Sequence, residues 1–502
     1  MSRLKRYQIE LLIFVLLLAC YSYVPPRWAD WNQNSRMNLV LAIVDDGTFA
    51  IDRYRENTGD YALFEGHYYS DKAPGASFLA VPVYAVVRPL LQSAPVGALL
   101  DRLARSAAFG DTLNETGTGL QREKIYYAIA LTIVTFATVA IPAALLGVLL
   151  YRFLAAFDPR RGWRVAATLI YGLATPAFPY ANLLYGHQTV AVMLFAAFAL
   201  SFWIGQRRIR PAWATLVGLL LGYVLITEYP AALIIAAIGL YLIAVIPDRR
   251  WIAGTIAAGI PPLLLMMAYN WSIFRTVLPV GYKYSELWVE EHQSGFMSLA
   301  GPNVDALWGI TFGAMRGLFY VAPILLLALP GFIFWWRSGR LRAELFVCLW
   351  AMASFLLFNG SSVMWWGGFG VGPRYLVPML PFMAVAMAVC IQRVAASRGG
   401  RILVAILAFW SWLVIWAQSL GGQSFPQFQP DPLFSYSLPE LAAGNIARNL
   451  GMAFNLDGWA SLVPLALVAT LLGGMLLRIL VAPADPGPAA TDMVRPPHPK
   501  TP

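Results

Sequence analysis

The stretch Gly66-His67-Tyr68-Tyr69-Ser70-Asp71-Lys72-Ala73-Pro74-Gly75 packs an imidazole, a carboxylate and an ammonium between tyrosines and a Pro-Gly turn. A turn fixes the backbone, so these groups are held rather than scattered. Between residues 45 and 71 lie seven acids: Asp45, Asp46, Asp52, Glu56, Asp60, Glu65 and Asp71. A positioned carboxylate takes a proton from a hydroxyl, a contribution of about 10²–10⁴-fold to a rate. A cation such as Lys72 stabilises charge that develops on a phosphate leaving group. Arg374 closes the run Met364-Trp365-Trp366-Gly367-Gly368-Phe369-Gly370-Val371-Gly372-Pro373-Arg374 and can grip phosphate in bidentate fashion. His67 and His187 suit phosphate or hydroxyl groups. The histidines show no ligand spacing, so neither a metal nor any other cofactor is expected. Each group also has a plainer reading. Loop acids are ordinarily solvated, Lys72, Arg316 and Arg374 can snorkel at a membrane boundary, and Trp365-Trp366 fits an interfacial aromatic belt.

Membrane helices must position these groups. Of 502 residues, 59% are hydrophobic and 12% charged, against about 25% charged in soluble domains. The chain reads as an all-α polytopic integral membrane protein, with elements set by the ~20 residues that cross a bilayer. Cys20, Cys348 and Cys390 sit in apolar runs and read as small core residues. The first apolar run, 8–24, follows Arg3, Lys5 and Arg6, which makes 1–24 a retained anchor with a cytoplasmic N-terminus.

Residues 25–124 are then a large first extracytoplasmic loop carrying juxtamembrane helices. The next run, 76–91, is short and holds Pro82 and Pro89. A strong span at 126–150 is followed by Arg152, Arg160, Arg161 and Arg164. If 76–91 crossed the bilayer, those arginines would face outward, so 76–91 is expected to be re-entrant or interfacial. Further runs alternate with basic loops at 207–210, 248–250, 337–342 and 393–401. This predicts about 12 transmembrane helices, a helical domain over 125–482, and a disordered cytoplasmic tail at 483–502. The net charge of +10 is thus an orientation signal, and no nucleic-acid partner is expected. The remaining polar groups gather in the outward loops, among them Tyr185-Gly186-His187, Thr227-Glu228-Tyr229 and 275–316. No nucleotide motif is present, and an outward-facing enzyme has no ready supply of nucleotide-activated substrate.

The order of a first span, a long acidic outer loop, Tyr69-Ser70-Asp71-Lys72-Ala73-Pro74-Gly75 and many further spans resembles the GT-C superfamily of membrane glycosyltransferases. Within it the chain is most similar to the branch of protein O-mannosyltransferases and lipid A aminoarabinose transferases. The Tyr69–Gly75 segment resembles that branch's aromatic-x-acid-Lys-Pro-Pro, and Gly372-Pro373-Arg374-Tyr375 its late Gly-x-Arg-Tyr. The resemblance implies an inverting glycosyltransferase of a bacterial inner membrane. It would move a sugar from a polyprenyl-phosphate donor to a glycan, lipid or protein acceptor at the extracytoplasmic face. A first-loop acid would be the base, and Lys72, Arg374, His67, His187 and Tyr69 would bind the donor phosphate. Where the family often has an Asp-Glu pair, alignment on Arg36 gives Gln33-Asn34, and amides cannot act as base. Asp60, behind Asn57-Thr58-Gly59, is then the expected base, with Asp46 and Asp71 in reserve. Two other readings stay open: a transporter or flippase of lipid-linked sugars, and an inactive relative that acts as a scaffold.

Overall fold

The computed structural model describes residues 7–26, 30–105, 121–278, 280–287, 289–293 and 298–481. The expected tail 483–502 lies outside these residues. The chain is an all-α polytopic membrane protein. Among the described residues, seven helices are long and apolar enough to cross a bilayer: Glu123–Ala156, Gly186–Gly205, Arg250–Phe274, Arg342–Asn359, Arg374–Val394, Arg398–Leu420 and Gly458–Val481. Gln8–Ser22, Pro211–Thr227, Tyr229–Val245 and Pro323–Ser338 are shorter apolar helices. The helix Gly75–Leu91 turns by 85° into Ala94–Ala104, a shape that a broken span and a re-entrant segment share. Pro95 near the start of the second helix cannot continue the first, which places the break.

The expected run 317–336 is not one helix. It begins as Leu318–Val321, passes through the 3₁₀ turn Pro323–Leu327 and resumes as Ala328–Ser338. The break frees the Ile324 N–H, and Ser411 Oγ takes it at 3.1 Å. A freed amide at membrane depth needs such a partner.

The first long polar segment is a packed insert. Asp30 caps the helix Trp31–Leu41 by accepting the Asn32 N–H at 3.1 Å. This helix is polar yet buried along nearly its whole length, with Gln33, Ser35 and Asn38 fully enclosed. Buried polar groups need partners, and the rest of the loop supplies them. Asn34 donates to Asn57 O at 2.9 Å, Asn38 to Tyr54 O at 2.8 Å, and Ser35 meets Ser70 at 2.8 Å. Apolar residues wedge the same helix in from two sides. Met37, Val40 and Leu41 pack with Tyr84, Tyr127 and Leu131, while Leu39 and Ala42 pack with Ile51, Tyr269 and Phe274. The loop also holds a small antiparallel hairpin, Ala62–Phe64 with His67–Tyr69. Glu65 and Gly66 both have positive φ at its turn, as a two-residue hairpin connection requires.

Close packing accounts for the glycine that ends the Tyr69–Gly75 segment. A Cβ there would lie 2.2 Å from Thr227 Oγ1 and 2.8 Å from Ile226 O. Tyr223 OH donates to Gly75 O at 2.9 Å across the same contact. The segment therefore docks flush on the end of the helix Ala214–Thr227. Gly75→Val is expected to cost about 1–3 kcal/mol of stability through overpacking, read as a lowered midpoint in thermal unfolding in detergent. A wild-type midpoint would contradict this docking.

Candidate active site

At one end of the helices, a cavity of about 80 Å³ collects charged groups from widely separated parts of the chain. The first loop contributes Asp30, Asn32, Arg36, Asp60 and Lys72. His187 and Glu228 come from helix ends, Tyr282 from the segment after Arg250–Phe274, and Trp366, Arg374 and Tyr375 from the late glycine-rich loop.

Lys72 is nearly buried between two carboxylates. Its Nζ lies 3.0 Å from Asp60 Oδ2 and 3.1 Å from Asp71 Oδ2. Burial alone would lower its pKa, but Asp60 and Asp71 outweigh that and hold the ammonium above its usual value. Asp71 sits behind the cavity wall, where Ser285 Oγ donates to it at 3.2 Å. Burial raises the Asp71 carboxyl above its ordinary value against the pull of Lys72, with Asp60 adding to the rise. An ammonium carries three N–H donors, and the two carboxylates engage two of them. The ammonium also lies over the Tyr282 ring, 5.7 Å from its centroid.

Arg36 ties the loop to the helical body. Its Nε donates to Asn32 Oδ1 at 3.3 Å, Nη1 to Ala73 O at 3.1 Å, and Nη2 to Glu228 Oε1 at 3.2 Å. His187 Nδ1 approaches the same Glu228 oxygen at 3.4 Å.

Arg374 is held differently. Its guanidinium lies over the rings of Tyr185, at 5.3 Å, and Tyr375, at 5.0 Å, and Nη2 donates to Tyr375 OH at 3.2 Å. Among the described residues it forms no ion pair, and its buried Nε has no hydrogen-bond partner. Gly367 and Gly368, both at positive φ, curl the loop over this side chain; a Cβ on Gly367 would lie 3.2 Å from Arg374 Nε.

Arg316 shapes that loop from behind and is fully buried. It neither snorkels nor lines the cavity. It donates to Trp366 O at 3.0 Å, Gly368 O at 2.8 Å, Pro426 O at 3.1 Å and Gln427 O at 2.8 Å. Burial lowers its pKa to about 10, so it stays charged at neutral pH.

Asp30 meets the cavity from the start of the buried polar helix. Tyr185 OH donates to its Oδ2. Burial pushes the Asp30 carboxyl up to about 6, opposed by the Tyr185 hydrogen bond and the Arg374 charge and reinforced by Asp60. That places its pKa near the working range of a general base.

Of the residues singled out in the sequence, Asp60, Lys72, His187 and Arg374 line the cavity together. Asp71 touches it only through Lys72. Asp46 pairs with Arg53 at 3.1 Å, His67 pairs with Asp52 at 2.7 Å on the exposed hairpin, and Tyr69 packs against the Phe274 ring; none of the three lines the cavity. Gln33 and Asn34 are buried in the loop core and do not line it either. Sequence reasoning passed over Asp30, Arg36 and Glu228 as site residues. Asp30 directly before a helix start carries the signal of a cap, and it does cap; its second role has no sequence signature. Glu228, an acid between two apolar runs, was the more legible one. Among the described residues, no three His, Cys, Asp or Glu side chains converge as metal ligands.

No protein-family model matches the chain, and no curated protein matches it. Among solved structures it is similar to apo ArnT from Cupriavidus metallidurans, at 14% identity and a TM-score of 0.45, over 94% of this chain and 75% of that one. The same protein bound to undecaprenyl phosphate gives 15% and 0.41 over the same shares. The archaeal oligosaccharyltransferase AglB from Archaeoglobus fulgidus, in complex with an inhibitory peptide and a dolichol-phosphate, gives 10% and 0.48 over 85% of this chain and 57% of that one. The chemistry of the cavity rests on this chain's own residues.

Replacing Arg316 by Met strands four carbonyls of two other loops, at about 1–3 kcal/mol for each that stays buried and unpaired. Limited proteolysis is expected to cut Arg316→Met within 364–372 and 424–430 much faster than wild type. Equal cleavage would contradict the clamp.

Proposed function

We propose that the chain is a membrane glycosyltransferase that takes a sugar from a polyprenyl-phosphate carrier and inverts its anomeric centre. The observation that carries this reading is Arg374: a guanidinium aimed into a cavity, with a buried Nε left unpartnered, beside cations that carboxylates already neutralise. A buried unpaired donor is costly, and an anionic ligand would complete it. Arginine suits phosphate oxygens by its planar fork. Lys72, on the wall of the same cavity, would meet a second oxygen of the group.

In this reading the acceptor hydroxyl oxygen attacks the anomeric carbon from the face opposite the carrier. The bond from that carbon to the phosphate oxygen breaks, its electrons stay on the phosphate, and Arg374 and Lys72 meet the charge. The hydroxyl proton passes to a first-loop carboxylate. Two line the cavity. Asp60, the one expected from sequence, is engaged by Lys72 at 3.0 Å. Asp30 makes no ion pair with a described residue and has its pKa pushed up to about 6, so it is the better suited. The cavity would face the extracytoplasmic side of a bacterial inner membrane with both termini cytoplasmic, as the basic loops require. Acceptors of glycan, lipid or protein type all present a hydroxyl and fit the reaction. His187, held through Glu228, is assigned to the donor side of the cavity.

The test is release of polyprenyl phosphate by purified protein in nanodiscs, offered a panel of polyprenyl-phosphate sugars and membrane extract as acceptor source. Wild type is expected to consume one donor, and Asp30→Asn to lose about 10²–10⁴-fold in rate. A base works deprotonated, so wild-type kcat/KM should fall as pH drops through about 6, the value to which burial raises Asp30. Loss in Asp60→Asn with full activity in Asp30→Asn would move the base to Asp60. Consumption of no donor would refute the function. Because two side-chain cations meet the phosphate, EDTA treatment is expected to leave turnover unchanged; a collapse restored by added divalent cation would contradict that arrangement.

A further inference from the structure

Tyr185 lies between the two groups on which the proposed reaction most depends. It is fully buried. Its hydroxyl donates to Asp30 Oδ2, and its ring carries the Arg374 guanidinium at 5.3 Å. The chain around it has little freedom. The Tyr185 N–H donates to Leu183 O at 2.7 Å, and the helix Gly186–Gly205 starts at the next residue. A Cβ on Gly186 would run into the Glu228 carboxylate, so the backbone there is pressed flush against the partner of Arg36. The rings of Tyr180, at 5.7 Å, and His187, at 5.9 Å, flank the Tyr185 ring. A side chain packed this closely keeps one position.

Asp30 takes donors from two elements. Oδ1 accepts the Asn32 N–H at 3.1 Å from its own helix, and Oδ2 accepts Tyr185, 155 residues away. Arg374 from the late loop, Asp60 from the first loop and Tyr180 from the helix Ala177–Tyr180 also face this carboxylate. Helix capping needs only the Asn32 bond, so the Tyr185 bond is additional. Burial and the Asp30 charge hold the Tyr185 hydroxyl well above its ordinary pKa, so it stays a donor. We infer that Tyr185 is a positioning residue for the transfer: one rigid side chain sets the base and the phosphate-binding arginine at a fixed spacing, the hydroxyl orienting Asp30 and the ring supporting Arg374. The inference rests on the glycosyltransferase reading for what Asp30 and Arg374 do. The residue type follows from the two tasks. Phenylalanine would carry the guanidinium without orienting the carboxylate, and an aliphatic side chain would do neither. A hydrogen bond donated to a carboxylate favours its charged form, so the same contact keeps Asp30 ready to take the acceptor's proton.

The experiment uses the full chain in nanodiscs. It follows release of polyprenyl phosphate from the donor that wild type consumes and, separately, binding of undecaprenyl phosphate. Tyr185→Phe removes the hydroxyl and keeps the ring; Tyr185→Leu removes both. Without its hydrogen bond the Asp30 carboxyl titrates higher. The acid limb of kcat/KM in Tyr185→Phe is therefore expected to move up by about one pH unit or more. The loss should lie in kcat, with KM for the donor unchanged, and activity should return as pH rises. Tyr185→Phe should bind undecaprenyl phosphate as wild type does, which also shows that it is folded. Tyr185→Leu should bind it about tenfold more weakly. A tyrosine with a structural role alone would change stability without moving the limb. An unshifted limb in an active Tyr185→Phe overturns the inference and leaves the glycosyltransferase reading standing. So does wild-type binding of undecaprenyl phosphate by Tyr185→Leu, or its loss in Tyr185→Phe. If Tyr185→Leu does not fold, the limb in Tyr185→Phe decides. Wild type that consumes no donor overturns the reading and the inference together.

Discussion

The ion pair between Arg36 and Glu228, 3.2 Å apart and 192 residues apart in sequence, joins the first polar loop to the body of the molecule. Taking two charges out of water is expensive, and their attraction offsets the cost only where the remaining donors are satisfied. Here Asn32 and Ala73 take the other arms of the guanidinium. Both partners lie inside the first loop, so the pair also fixes the polar helix Trp31–Leu41 against the segment that carries Lys72. The buried face of that helix leaves it no other place to sit. Once it is fixed, Asp30 at its cap is fixed too, and the carboxylates of the first loop stand opposite the late glycine-rich loop.

Two arginines of the late region divide the work on that opposite wall. Arg316 is satisfied entirely by carbonyls and holds Trp366, Gly368 and Gln427 in one arrangement. Arg374, which that arrangement encloses, keeps a donor with no partner. A structural cation and a ligand-ready cation thus differ in their hydrogen bonds and not in residue type. Burial, which lowers the pKa of Arg316 to about 10, leaves it charged, so it adds to the positive potential around the neighbouring guanidinium.

Much of this was legible in the chain before any coordinates. Apolar runs of bilayer length and low charge content specify a polytopic helical protein, and most of the long helices fall where those runs lie. The clustering of polar groups into outward loops led to Asp60, Lys72, His187 and Arg374, which share a cavity. The hydropathy pattern could not show the break at Pro323, because the residues on both sides are equally apolar. Nor could it show the helix Trp31–Leu41, which is buried by hydrogen bonding rather than by apolar periodicity. Asp46, in reserve behind Asp60, and His67, beside Lys72, stayed candidates because sequence carries charge but not partners; exposed ion pairs with Arg53 and Asp52 take them elsewhere. Asp30 was hidden for the opposite reason, since its capping role already accounts for an aspartate at that position.

The central claim is that the unpartnered Arg374 donor is the seat of a lipid phosphate. The most direct measurement is an electron cryo-microscopy structure of the full chain in nanodiscs with undecaprenyl phosphate. The account predicts phosphate density within hydrogen-bonding distance of Arg374 Nε and of the Lys72 ammonium, with Asp30 on the far side of the anomeric position. Phosphate density elsewhere, with Arg374 Nε paired to a group of the protein, would contradict it.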